Sequence, residues 1–153
     1  MTAPARIAAA RASFTRMFLG VLAALSLAVL AACSSGPGTR AEVLDRTLYD
    51  YSGAIRWNNF EVAYDLLDPE QRDKRPMTDL DWERLKQIQV TRYDVIAQAA
   101  LPDGRIGREV EIALINRHTQ AERVVRTREV WRYDEATQRW WQTEGLPDFS
   151  AQR

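Results

Sequence analysis

Apolar residues recur at two different periods in this chain, and the change comes at about Val90. Before it, gaps of three and four residues predict helices; after it, alternation predicts strands. A chain that runs helices first and strands afterwards folds as an α+β domain, with its helices packed on an antiparallel sheet. There is one cysteine, so no disulfide forms within the chain and the domain must be held by packing. The spacing of Leu44, Leu48, Tyr51 and Ile55 predicts an amphipathic helix over 40–57. Asn58, with Glu61 three residues on, reads as a capping box for a second helix carrying Phe60, Ala63, Tyr64 and Leu67, which Pro69 stops. Residues 70–76 read as a charged loop. Thr78 and Asp81 cap a third helix with Leu80, Trp82, Leu85 and Ile88 on it.

Four strands follow. The first places Tyr93, Val95, Ala97, Ala99 and Leu101 on one face and ends at the turn Pro102-Asp103-Gly104. The second runs over 105–116 with Ile106, Val110, Ile112 and Leu114 inward, the third over 121–133, and the fourth over 139–143. Putting both apolar faces of the middle hairpin on one side requires an even loop, Arg117 to Gln120. That register sets Glu111 opposite Arg126 and Glu109 opposite Arg128, each a favourable cross-strand pair. The same reasoning sets Trp131 opposite Trp141 on the inner face and Trp140 outside, beside Arg132.

Ahead of this domain lies a leader. Arg6, Arg11 and Arg16 precede an uncharged stretch from Met17 to Ala32, and Ser34-Ser35-Gly36-Pro37 follows Cys33. A basic start, a short apolar run and small residues at its end are the parts of a signal peptide. A membrane-spanning helix needs about 20 apolar residues, and this stretch is shorter. A plain secretory peptide would strand Cys33 as a lone thiol in an oxidising compartment. Leu30-Ala31-Ala32-Cys33 resembles the bacterial lipobox. The resemblance implies cleavage between Ala32 and Cys33, a diacylglyceryl thioether on Cys33, acylation of its new amino group, and hence membrane attachment. Ser34 resembles the residue found there in lipoproteins passed on to the outer membrane, facing the periplasm.

The expected division is therefore a signal peptide over 1–32, a lipidated cysteine and tether over 33–39, one α+β domain over 40–148 and a tail over 149–153. After cleavage, 18 Lys and Arg stand against 21 Asp and Glu, a net charge of −3. That balance offers nothing to nucleic acid or to anionic lipid surfaces.

The register puts Arg108 opposite Glu129 on the apolar face, among Tyr93, Trp131, Tyr133 and Trp141. These six form the candidate pocket. A carboxylate in an aromatic concavity reads either as a general base or ligand anchor, or as half of a structural ion pair. The structural pair is the reading favoured here, because nothing else in the chain completes a catalytic set. His118, the single histidine, falls in a loop, and no cluster has metal-ligand spacing. Neither a metal nor another cofactor is expected. Asp65 and Asp68 read as surface charges, and Arg123, Arg126, Arg128 and Arg132 as a salt-bridged sheet face.

The element order, the run Asn59-Phe60-Glu61-Val62-Ala63-Tyr64 after a long helix, and Val130-Trp131-Arg132-Tyr133 followed by Arg139-Trp140-Trp141 resemble the nuclear-transport-factor-2-like superfamily. The resemblance covers 41–148 and implies a cone: a curved four-stranded sheet wrapped round the first of about three helices. That superfamily holds SnoaL-like isomerases and hydratases as well as binding and assembly domains, so fold alone does not assign an activity. The expected function is a non-catalytic, envelope-anchored binding or accessory domain for a protein partner or a small apolar ligand. The alternatives are a SnoaL-like isomerase or hydratase using Glu129, and an inhibitor or immunity-type lipoprotein.

Overall fold

The computed structural model describes residues 38–150. The expected leader and cleavage point, and Cys33, lie outside the described residues. Four helices, α1 (Arg40–Arg56), α2 (Phe60–Asp65), α3 (Pro69–Lys74) and α4 (Asp79–Lys86), precede four strands. These are β1 (Ile88–Ala100), β2 (Ile106–Asn116), β3 (Glu122–Asp134) and β4 (Arg139–Gln142). They form one antiparallel sheet in the order β1-β2-β3-β4, so β1 and β4 are its edges.

α1 begins in a full capping box: the Thr39 hydroxyl accepts from the Glu42 amide, and the Thr39 amide donates to the Glu42 carboxylate at 2.7 Å. Thr39, the last residue of the expected tether, is thus the cap of α1. Leu44, Leu48, Tyr51, Ala54 and Ile55 recur along one face of α1 and are buried. They meet Val110, Ile112, Leu114, Val125 and Trp131 of β2 and β3 in a single core. Burying a side chain the size of Ile55, fully enclosed here, stabilises by about 1.5–3 kcal/mol.

The helical half departs from expectation in three places. Asn58 does not cap α2; Asn59 takes the N-cap position, with no side-chain bond. Asn58 instead adopts φ 59°, a left-handed conformation that asparagine tolerates. Its side-chain oxygen accepts the Val90 amide of β1 at 2.7 Å, so it joins the end of α1 to an edge strand. Second, Pro69 starts a helix rather than stopping one, and 70–76 is mostly helical. Proline at the first helical position loses no bond, and the Asp68 carboxylate caps the turn by accepting from Glu70 N. Third, Ile88 is the first residue of β1, not the last of α4, whose capping box at Thr78 and Asp81 forms as expected.

The middle hairpin has the expected register: Glu109 pairs with Arg128, Glu111 with Arg126, and Arg108 with Glu129. Arg126 Nε lies 2.9 Å from Glu111. Two bulges interrupt β1, between Val90 and Arg92 and between Val95 and Ala97. Beyond Tyr93 the strand leaves the core, and Val95, Ala97 and Ala99 are exposed, contrary to the alternation read from sequence.

The last hairpin is shifted by one residue from the expected register. Trp131 pairs with Gln142, Arg132 with Trp141 and Tyr133 with Trp140. The cause lies in the turn. The Asp134 carboxylate accepts from Ala136 N and Thr137 Oγ1, and Gln138 takes φ 53°, so Asp134 pairs with Arg139 and closes the loop one residue early. A one-residue shift exchanges faces. Trp140 therefore joins the core, 5.3 Å from the Tyr133 ring, with Nε1 donating to the Arg40 carbonyl. Trp141 lies on the opposite face beneath the Arg139 guanidinium. Phe149 is buried against Phe60, and Arg123 donates to its carbonyl, which pins the segment after β4.

Candidate functional site

Of the six residues proposed for a pocket, four come together: Tyr93 from β1, Arg108 from β2, and Glu129 and Trp131 from β3. Glu129 is fully enclosed. One carboxylate oxygen accepts the Tyr93 hydroxyl at 2.5 Å. The other accepts Arg108 Nη1 at 3.2 Å and the Trp131 indole N–H at 3.3 Å. Tyr133 stands apart, under the Arg40 guanidinium, and the shifted register removes Trp141 from this face.

A fifth member comes from α1. Tyr51, which reads from sequence as helical packing, is fully enclosed and edge-on to Trp131 at 5.1 Å. The Tyr51 hydroxyl and Arg108 Nε have no hydrogen-bond partner in this setting. Helical spacing alone put Tyr51 on the core face of α1. No short motif links it to a strand residue 80 positions away, so its place beside Trp131 was not visible.

The electrostatics follow from burial. Loss of water raises the Glu129 carboxyl above its ordinary value, against the opposing pull of Tyr93, Arg108 and Trp131. Burial and the Glu129 charge together push both tyrosine hydroxyls well up, so both stay protonated. A buried carboxylate with a raised pKa has the proton affinity of a general base. Both of its oxygens are already taken, however, and none of these residues lines the clefts of about 790 and 380 Å³ among the described residues. The arrangement is a filled polar cluster. Its chemistry is that of an internal ion pair supported by two neutral donors.

The larger cleft, about 790 Å³, lies elsewhere. It runs between α4, the segment after β4 and the near ends of β1 and β2. Leu67, Leu85 and Phe149 give it apolar lining, with Arg75, Arg84 and Arg123 and the carboxylates of Asp81, Glu144 and Asp148 around them. Its wall is set by residues that sequence reasoning placed on the surface or did not single out. Gln142 is buried, and its side-chain oxygen accepts from Glu144 N and Gly145 N at 2.8 Å each, fixing the turn into the cleft wall. Gly145 has φ 93°, which glycine adopts without strain. Asp68 is buried as well: Arg132 donates to it through Nε and Nη2 at 3.0 and 2.7 Å, and its backbone N–H bonds to Gln142 O. Asp68 is thus a clamp between the helices and the last hairpin, and not the surface charge expected.

His118 is exposed in the β2–β3 loop. Among the described residues no group of His, Cys, Asp and Glu is placed to hold a metal ion, and no helix is long and apolar enough to cross a membrane. Compared with known proteins, the chain matches no family model, no curated protein sequence and no solved structure.

Proposed function

We propose that this chain is a lipoprotein, anchored through Cys33 in the bacterial outer membrane and facing the periplasm, whose domain binds a partner without catalysis. The leader supports the anchoring: an n-region with three arginines, an uncharged run, and Leu-Ala-Ala-Cys at its end. The element order and the antiparallel sheet are in keeping with a nuclear-transport-factor-2-like domain. In this reading the interior of the cone is occupied by Tyr51, Trp131 and the Glu129 cluster. One observation carries the non-catalytic assignment: both oxygens of the buried carboxylate are held by protein donors, while the sizeable cleft lies away from it. The cleft combines apolar lining with three arginines and three carboxylates, Asp81, Glu144 and Asp148. That suits an apolar protein segment or small molecule with polar groups at its rim.

Cys33→Ser tests the anchor. Metabolic labelling with a fatty acid should be lost, and the protein should move from the membrane fraction to the soluble periplasmic fraction. Unchanged labelling and retention would overturn the assignment.

A further inference from the structure

We propose that the outer part of β1 and its turn, from Val95 to Leu101, rest on the bilayer surface that carries the anchor. This rests on the anchoring reading above and adds to it the face that the domain turns to the lipid.

All seven residues from Asp94 to Ala100 are exposed, on a strand that has a partner on one side only. Val95 and Ile96 are 44% and 54% exposed. The stretch from Val95 to Leu101 carries no charge, whereas three of the four exposed positions of β3 are charged, Glu122, Arg126 and Arg128, with Val124 the fourth. A long, uncharged, exposed edge is a feature that free-standing soluble domains avoid. The bulge between Val95 and Ala97 takes Ile96 out of the ladder, which opposes regular pairing with the same strand of a second copy.

The position of the strip points to lipid as its occupant. Its turn is closed by Leu101 N to Arg105 O and Gly104 N to Leu101 O. The Arg40 guanidinium donates to Gly104 O at 3.3 Å, so the start of α1 lies against this turn. Thr39, which caps α1, is six residues after Cys33, a span of at most ~20 Å. The acyl chains are therefore held close to this end of the domain. Charge at the turn is balanced and so does not repel headgroups: Asp103 is paired to Arg105, and Arg40 to Glu135. The free edge N–H and C=O groups need water, which the headgroup zone supplies and the hydrocarbon core does not. The strip accordingly lies at headgroup depth.

The test uses the full, lipidated chain in vesicles of phosphatidylethanolamine and phosphatidylglycerol. Lipidation converts the Cys33 thiol to a thioether, so Ile96→Cys and, separately, His118→Cys each supply one thiol for an environment-sensitive dye. Quenching by lipid spin-labelled near the headgroup should be roughly twofold stronger at 96 than at 118, with a blue shift at 96 alone. Equal quenching at the two sites in acylated protein overturns the proposal and leaves the anchor intact. A dye already shielded at 96 in detergent, with doubled mass by light scattering, assigns the strip to a second copy and also overturns it. An intact mass lacking acyl groups overturns the anchoring reading, and this proposal falls with it.

Discussion

Arg108 and Glu129 are unequal partners, because the carboxylate is wholly enclosed and also held by Tyr93 and Trp131, while one guanidinium nitrogen has no partner. Removing the arginine strands a buried negative charge. Arg108→Met should therefore cost about 3–5 kcal/mol at neutral pH, read as the urea midpoint. The pH dependence has a definite sign. Burial raises the Glu129 carboxyl above its ordinary value, so the folded protein holds that proton more tightly than the unfolded chain. The contribution of this group to stability is greatest below the unfolded pKa and is lost as pH rises through the raised folded one. Without Arg108 the carboxyl rises further, so the loss in Arg108→Met should be smaller at about pH 5 than at about pH 8. Equal losses at both pH values would mean that Glu129 is not the charge left behind. The facing of this pair was legible in the sequence, because alternation and charge pairing constrain the same register independently.

At the scale of elements, the joints decide more than the elements do. The helices and strands were largely legible because each carries a long apolar period. The joints were not, because a short polar side chain has several uses and sequence does not rank them. Asn58 looked like a cap and is a tie to β1; Pro69 looked like a stop and is a start; Asp134 and Gln138 tighten a turn that flips both tryptophans of β4. Asn58 allows its two roles to be separated. Asn58→Gly keeps the left-handed backbone and loses the bond to Val90 N, which should cost about 1 kcal/mol. Asn58→Ala loses both, adding about 1–2 kcal/mol of backbone strain. Thermal denaturation should rank wild type above Gly and Gly above Ala, and an alanine variant as stable as glycine would rule out the strain. Asp68 also has two duties, capping α3 and holding Arg132. Asp68→Ala should cost at least the ~1 kcal/mol of a lost cap; Arg132→Ala keeps the cap but leaves the buried Asp68 carboxylate without its cation and should cost at least as much, both read as urea midpoints.

For the molecule as a whole, the enclosed cluster and the open cleft make opposite predictions. If the cleft binds the partner, Leu85→Lys should abolish crosslinking from a photoreactive residue placed at Met77, with little change in melting temperature. Glu129→Gln should lower the melting temperature and leave crosslinking intact. The reverse pattern would return the function to the cluster. α1 gives this arrangement a scale. Its first residue meets the β1–β2 turn, and the residues just past its last turn join β1 beside the cleft. Seventeen helical residues rise about 25 Å. On the proposed anchoring, α1 is a rigid spacer: it sets the cleft about one helix length from the end of the domain that the tether holds. A ligand can then enter the cleft without displacing the anchored end.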